Sequence, residues 1–199
     1  IGAGCSASGR MLLWKHRDTG TEHSFVAKVE PAGGLEYVAL FNGGDSLLRE
    51  AWVGVNEAGF AVMNTASYNL APDTALVRDR EGIVMSQALG TCRSVADFDS
   101  LLRSLPRPMG VQANFGVADG MGNGAYFETW DTGFRRIDLA GPDTLLVRTN
   151  YSHSGEKDGG FGYIRECSAV SLLEPMAVSH RVTPQAIFDS VSCSFYHSL

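Results

Sequence analysis

The side chains best suited to nucleophilic chemistry lie near the start of the sequence. Cys5 is followed by small residues and leads into an apolar run that ends in the charged stretch Lys15-His16-Arg17-Asp18. A thiol attacks carbonyl carbons when a base takes its proton, and an N-terminal α-amine, which titrates at about pH 8, can be that base. Cleavage after Gly4 would put the thiol and such an amine on one residue. The alternative is that Cys5 is a small buried side chain near a chain end and has no catalytic role.

Two basic residues could favour the thiolate form of Cys5. Both Lys15 and Arg17 lie in the charged stretch, and positive charge beside a thiol lowers its pKa. We favour Arg17, because a guanidinium keeps its charge when it is partly buried. Asp18 could orient an ammonium group.

Composition and motifs exclude several other classes of protein. The 22 acidic and 16 basic residues give a net charge of -6, and no Lys/Arg-rich run occurs, so we expect no nucleic-acid partner. The four cysteines lack zinc-site spacing, and no glycine-rich phosphate motif is present, so neither a metal nor a cofactor is expected. No apolar run approaches the roughly 20 residues of a membrane span. The sequence leaves open whether the protein forms a homo-oligomer.

The periodicity of the remaining sequence predicts one α+β domain over residues 1–199. Hydrophobic residues make up 44% of the chain, which is enough to bury a core. The patterns predict strands at 10–16, 25–30, 37–42, 51–55, 60–65, 114–118, 125–130, 134–139 and 144–149. They predict helices at 81–89, 95–105, 161–173 and 184–191, with Ser94 and Thr183 as N-caps. Blocks of strands that alternate with helix pairs indicate antiparallel sheets with helices packed outside them.

Four stretches, in this order, resemble a known family. They are Cys5 with Gly9, Trp14–Asp18, the block Gly54–Thr65 (GVNEAGFAVMNT) and Arg148–Tyr151. The sequence is similar to the N-terminal nucleophile (Ntn) hydrolases of the choloylglycine hydrolase and acyl-CoA:6-aminopenicillanic acid acyltransferase type. The resemblance implies a four-layer αββα sandwich, in which two antiparallel sheets lie between helix layers. Relatives are longer, so we expect either that a C-terminal part is missing or that the remaining sheet closes without it.

The resemblance also implies roles for five residues. Cys5 is the nucleophile, Asp18 holds its amine, Asn64 donates to the oxyanion, Asn150 is a second active-site asparagine, and Arg17 is the accompanying cation. The implied activity is hydrolysis of a linear non-peptide amide through a thioester, without a cofactor, on a small-molecule amide or N-acyl substrate. Residues 1–4 would be a leader or pro-segment remnant removed by autoproteolysis, which fits export to a periplasm or secretion. An N-acyltransferase and a catalytically silent binding module are the alternatives.

Several other residues carry weaker expectations. Arg165 is a poor match for a further active-site arginine, His153 is an acid/base candidate or a surface residue, and Cys193 with His197 is a weak pair. Cys92 and Cys167 fall in or beside predicted helices and are expected to pack. If Asn64 faces the Cys5 thiol, strand alternation requires its neighbours Met63 and Thr65 to face away from the thiol.

Overall fold

Seven antiparallel strands form the sheet on which the rest of the chain is built. The computed structural model describes residues 1–21, 23–71, 74, 76, 78–157 and 159–192. Neighbouring strands in the sheet follow one another in the sequence. The strands are β1 Ser24–Val29, β2 Tyr37–Asn42, β3 Val53–Asn56, β4 Ala61–Ala66, β5 Ala113–Ala118, β6 Gly124–Trp130 and β7 Gly133–Asp138. All seven coincide, within two residues at each end, with predicted strands.

Two helices cover one face of the sheet. They are α1 Glu81–Thr91 and α2 Val95–Ser104. Ser94 caps α2 as predicted: its Oγ accepts from the Asp97 backbone nitrogen at 3.1 Å, and the Asp97 carboxylate accepts in return from the Ser94 nitrogen at 3.0 Å. Phe98 of α2 lies at the centre of the main core, with its ring 5.6 Å from that of Phe115 and 5.1 Å from that of Phe127. Aromatic packing thus joins this helix layer to the middle strands.

The other two helices belong to a second, smaller core. They are α3 Phe161–Val178 and α4 Pro184–Ile187, which continues as a π-helical turn, Phe188–Ser192. Thr183 caps α4 as predicted, since its Oγ1 accepts from the Ala186 nitrogen at 3.0 Å. The buried side chains of this core, besides Cys5 in the 3₁₀ turn Ala3–Cys5, are Leu173, Ala177, Val182 and Ile187.

The second sheet implied by the resemblance is not formed by the described residues. The predicted strands at 10–16 and 144–149 contain no strand, because their backbone hydrogen bonds do not extend into a ladder: Leu12 and Ile1 donate to each other's carbonyl, and the Thr144 carbonyl accepts from Gly2. These segments still lie between the sheet and α3. The α+β class holds, with an irregular layer where a second sheet was expected.

Among the described helices, none combines the length and the apolar character needed to cross a bilayer.

Candidate active site

A cavity of about 760 Å³ separates the second face of the sheet from α3. Strands β4, β5 and β6 form its floor, and the segments 11–19 and 146–150 form its walls. Helix α3 contributes Arg165, Ser168, Ala169 and Leu173. Four of the five site residues predicted from the sequence line this cavity: Arg17, Asp18, Asn64 and Asn150.

A hydrogen bond in the cavity joins Lys15 to Asn64. The Lys15 ammonium donates to Asn64 Oδ1 at 2.7 Å and to the Trp52 carbonyl at 2.9 Å. Pairing of β3 with β4 ends at Val53–Met63, so Asn64 lies one residue beyond the paired stretch, and the lysine fills the gap. Lys15 is therefore the cation that contacts Asn64, and the preference for Arg17 as the cation that accompanies the Cys5 thiol stays a prediction.

This contact orients the Asn64 carboxamide. A lysine ammonium has donors and no acceptor, so the atom that it meets must be the amide oxygen. The Nδ2 group is then the end left for other partners, and no described residue accepts a hydrogen bond from it. Asn64 thus offers an N–H donor to a molecule in the cavity.

Burial shifts the acid–base behaviour of Lys15. Desolvation, with a smaller contribution from the nearby Arg17 charge, lowers the pKa of Lys15 to about 7. Its ammonium also lies 5.7 Å from the centre of the Trp52 ring. The lysine therefore exchanges a proton near neutral pH.

Arg17 is bound to the edge of the sheet and not to Asn64. One guanidinium nitrogen donates to Ser24 Oγ at 2.8 Å and another to Asn42 Oδ1. Its Cζ lies 5.4 Å from the centre of the Trp52 ring, so Arg17 and Lys15 share one indole. Arg17 thereby places a fixed positive charge at the cavity wall.

Asn150 and Asp18 differ in how firmly they are held. Asn150 Nδ2 donates to the Ala66 carbonyl at 3.0 Å and to Thr65 Oγ1 at 3.3 Å, so its donors are used by the end of β4 and its oxygen is what it can offer a ligand. Asp18 is exposed at the cavity, and no described residue pairs with its carboxylate. The predicted role of Asp18, holding the amine of Cys5, stays a prediction.

A buried ion pair fixes the segment that carries Asn150. Glu128 of β6 is 0% exposed and accepts from Arg148 Nε at 2.7 Å; the Arg148 side chain is 4% exposed. Glu128 also accepts from the backbone nitrogens of His153 and Ser154 at 2.9 and 2.8 Å. The glutamate therefore holds the chain on both sides of Asn150.

The structure does not bring Cys5 to the cavity. Its side chain is 1% exposed, lies in the second core and is absent from the residues that line the cavity. Its carbonyl accepts from the Val182 nitrogen at 3.1 Å, and burial raises the pKa of its thiol. The nucleophilic role of Cys5 stays a prediction.

Residues 1–4, which precede Cys5, are packed into the fold. Gly2 donates to the Thr144 carbonyl and Gly4 to the Pro142 carbonyl, both at 2.8 Å. A Cβ on Gly2 would lie 2.2 Å from the Pro142 oxygen, so only glycine fits this approach. Removal of residues 1–4 would break these contacts, and it too stays a prediction.

Thiol labelling measures these environments directly. We expect iodoacetamide to alkylate Cys167 of the native protein and to spare Cys5 and Cys92 until the chain is unfolded, because Cys167 is exposed and the other two are buried. Burial also raises the pKa of Cys92 to about 11. Peptide mass mapping after timed quenching gives each rate. Equal rates at Cys5 and Cys167 would contradict the described position of Cys5.

One further expectation, for Cys167, is corrected. Cys167 does not pack in the interior, because it lies on the outer side of α3. Met63 and Thr65 line the cavity together with Asn64, because the cavity extends around the end of β4, past the last β3 pair; whether their side chains face away from the Cys5 thiol stays a prediction. His153 is half exposed and contacts Glu166 at 2.5 Å, away from the cavity.

Cys193 and His197 lie outside the described residues. Arg165 reaches the cavity while its Nε donates to the Phe161 carbonyl at 3.1 Å. Sequence reasoning missed Glu128, and the available signal was a glutamate inside an otherwise apolar strand. It also missed Tyr126, which lines the cavity beside Arg148.

Comparison with known proteins gives matches in structure only. No protein-family model and no curated protein matches the sequence. A variant of conjugated bile acid hydrolase from Clostridium perfringens aligns with a TM-score of 0.51 and 11% identity, over 79% of this chain and 63% of that one. The N-acylethanolamine-hydrolyzing acid amidase ortholog of Caenorhabditis elegans aligns with a TM-score of 0.60 and 15% identity, over 88% and 75%. Penicillin V acylase from Agrobacterium tumefaciens aligns with a TM-score of 0.50 and 14% identity, over 83% of this chain and 58% of that one.

These likenesses concern architecture. The chain spans less than two thirds of the length of the bile acid hydrolase and of the penicillin acylase. At sequence identities this low, the structural similarity establishes the fold alone, and the activity has to be argued from the site. The chain has the Ntn hydrolase fold, with one sheet among the described residues where the sequence resemblance implied two.

Proposed function

We propose that this protein hydrolyses linear, non-peptide amides in the cavity between β4 and α3. The observation that carries the proposal is the Lys15–Asn64 contact, which leaves the Asn64 Nδ2 group as a donor at the cavity. The fold supports it, since the matched proteins are named as a bile acid hydrolase, an N-acylethanolamine-hydrolyzing acid amidase and a penicillin V acylase.

The chemistry follows from where negative charge develops. Attack on an amide carbonyl turns its oxygen into an oxyanion, and a fixed N–H donor stabilises that oxygen more than the starting carbonyl. Lys15 holds Asn64 in this orientation before substrate arrives, so little reorganisation is needed. The apolar walls, including Met63, Leu173 and Val191, suit the acyl part of the substrate.

The thioester route would need a rearrangement. Cys5 would have to leave the second core and reach the cavity, which requires residues 1–5 to separate from Pro142, Thr144 and Val182. Release of residues 1–4 is the event that would permit it. The proposal for amide hydrolysis stands with or without this step, because the Asn64 donor is already in place.

A substrate panel tests the proposed activity. We expect purified protein to release amine from N-acyl amides with an apolar acyl group, measured by mass spectrometry of both products. A peptide of similar size is the control and should stay intact. Absence of amine release from every N-acyl amide, in protein shown to be folded, would contradict the proposal.

A further inference from the structure

Asn114 is a polar residue in the otherwise apolar strand β5, and it is 0% exposed. It pairs directly with Glu128 of β6, so the two side chains lie on the same face of the sheet. A buried carboxamide costs free energy unless its donors and its acceptor are bonded. Each hydrogen bond that the Asn114 carboxamide makes with a described residue goes to the segment 149–152, which carries Asn150.

The Asn114 carboxamide bridges the two peptide groups on either side of Asn150. Its Nδ2 donates to the Thr149 carbonyl at 3.0 Å and to the Tyr151 carbonyl at 3.1 Å. The carbonyl between them, that of Asn150, accepts from the Tyr68 nitrogen at 3.2 Å. Three consecutive carbonyls that belong to no strand or helix therefore have fixed partners.

Two serine hydroxyls fix the orientation of the Asn114 carboxamide. Because Nδ2 faces two carbonyls, Oδ1 is the acceptor, and Ser152 Oγ donates to it at 2.6 Å. Ser152 has one hydroxyl proton, so Ser67 Oγ, which lies 2.6 Å from Ser152 Oγ, is left as its donor. All three side chains are buried, and Ser67 directly follows β4. The hydrogen bonds therefore run from the end of β4 through Ser152 to Asn114.

We propose that Asn114 is a positioning residue that holds Asn150 at the cavity, an inference that rests on the proposed amide hydrolysis. Asn150 lines the cavity, whereas Asn114 is not among the described residues that do so. The carboxamide of Asn150 is bonded to Ala66 and Thr65 of β4, and its backbone is held by Asn114. Loss of Asn114 frees that backbone, and a displacement of about 1 Å in an active site can lower the rate by about a hundredfold.

Asn56 of β3 offers a matched control. It is 5% exposed, and its Nδ2 donates to the Leu89 and Cys92 carbonyls at 2.9 and 2.7 Å, at the end of α1. Asn56→Ala therefore removes the same kind of bridge between two carbonyls, on the α1 face of the sheet. We expect both Asn56→Ala and Asn114→Ala to unfold at lower urea concentration. Only Asn114→Ala is expected to lose kcat on the amide found in the panel, by about ten- to a hundredfold.

A double-mutant cycle tests whether Asn114 acts through Asn150. We expect Asn150→Ala to lower kcat, and the further change Asn114→Ala to lower it by less than about twofold, because the side chain that Asn114 positions is already gone. Full activity of either single variant, or losses that multiply in the double variant, would overturn the positioning role. If Asn114→Ala does not fold, Ser152→Ala takes its place, since it removes only the donor to Asn114 Oδ1; we expect the same pattern with a smaller loss.

The side-chain amide of Asn150 provides a readout that needs no substrate. Its signals in a hydrogen–nitrogen correlation spectrum are assigned by their absence from Asn150→Ala. We expect them to shift or broaden in Asn114→Ala and to stay unchanged in Asn56→Ala. Unchanged signals in Asn114→Ala would overturn the positioning role even where the wild-type protein hydrolyses amides. A wild-type protein that hydrolyses no amide would overturn the proposed function, and these signals would still decide whether Asn114 holds Asn150.

Discussion

Replacing Asn64 by alanine is expected to lower kcat for amide hydrolysis by about a hundredfold or more and to leave KM nearly unchanged. The reason is that its Nδ2 group gains strength as a donor only when the carbonyl oxygen becomes an oxyanion. Steady-state kinetics on the substrate found in the panel gives both constants. If Asn64 only ends β4, the substitution should cost about 1 kcal/mol of stability and leave kcat per folded molecule unchanged.

A matched variant separates the donor from the rest of the side chain. Asn64→Asp keeps an oxygen for Lys15 and removes the Nδ2 donor, while its shape stays almost the same. We expect Asn64→Asp to be folded and at least as impaired in kcat as Asn64→Ala, because a carboxylate beside the oxyanion repels it. An active Asn64→Asp variant would contradict oxyanion stabilisation by this residue.

Replacing Glu128 by glutamine is expected to lower the free energy of unfolding by about 3 to 5 kcal/mol, because it leaves the buried Arg148 without its counter-ion. The substitution also disturbs acceptors for two backbone nitrogens, those of His153 and Ser154. Urea unfolding followed by circular dichroism measures the change. The matched control is Asp138→Asn, which breaks an exposed pair with Arg136 and should change stability by less than about 1 kcal/mol. Equal effects of the two substitutions would contradict the account of Glu128.

The pH dependence of stability provides a second readout for Glu128. Burial raises its pKa, but the hydrogen bonds from Ser154, His153 and Arg148 outweigh burial and hold the pKa below the ordinary value of 4.5. This carboxylate therefore stabilises the folded state above its ordinary pKa, and the contribution is lost as the pH falls through the lower folded-state value. We expect Glu128→Gln to weaken the loss of stability on acidification.

Local patterns were enough to predict most of the fold. The strands and the N-caps at Ser94 and Thr183 depend on residues close together in sequence, and the alternation in Tyr37–Asn42 directly reports one buried face. The segments at 10–16 and 144–149 were apolar enough to be strands. Strand pairing also needs a partner of matching register, which sequence periodicity cannot supply.

The site was predicted in part, for a similar reason. The motif around Asn64 pointed to a residue that lines the cavity, whereas the contact of Asn64 with Lys15 depends on which side chain reaches the end of β4 that β3 leaves unpaired. Cys5 is surrounded by small residues, a context that suits a nucleophile and a buried side chain equally well. Its burial depends on contacts with Leu173 and Val182, which are distant in sequence.

The most direct test of the central claim compares kcat/KM of Cys5→Ala and Asn64→Ala in one amide-hydrolysis assay. The cavity at Lys15 and Asn64 is the proposed reaction site, and the thiol of Cys5 lies outside it. We therefore expect Asn64→Ala to lose about a hundredfold or more in kcat/KM, and Cys5→Ala to lose activity only if the thiol leaves the second core and takes part in the reaction. An inactive but folded Cys5→Ala, together with an active Asn64→Ala, would contradict this account.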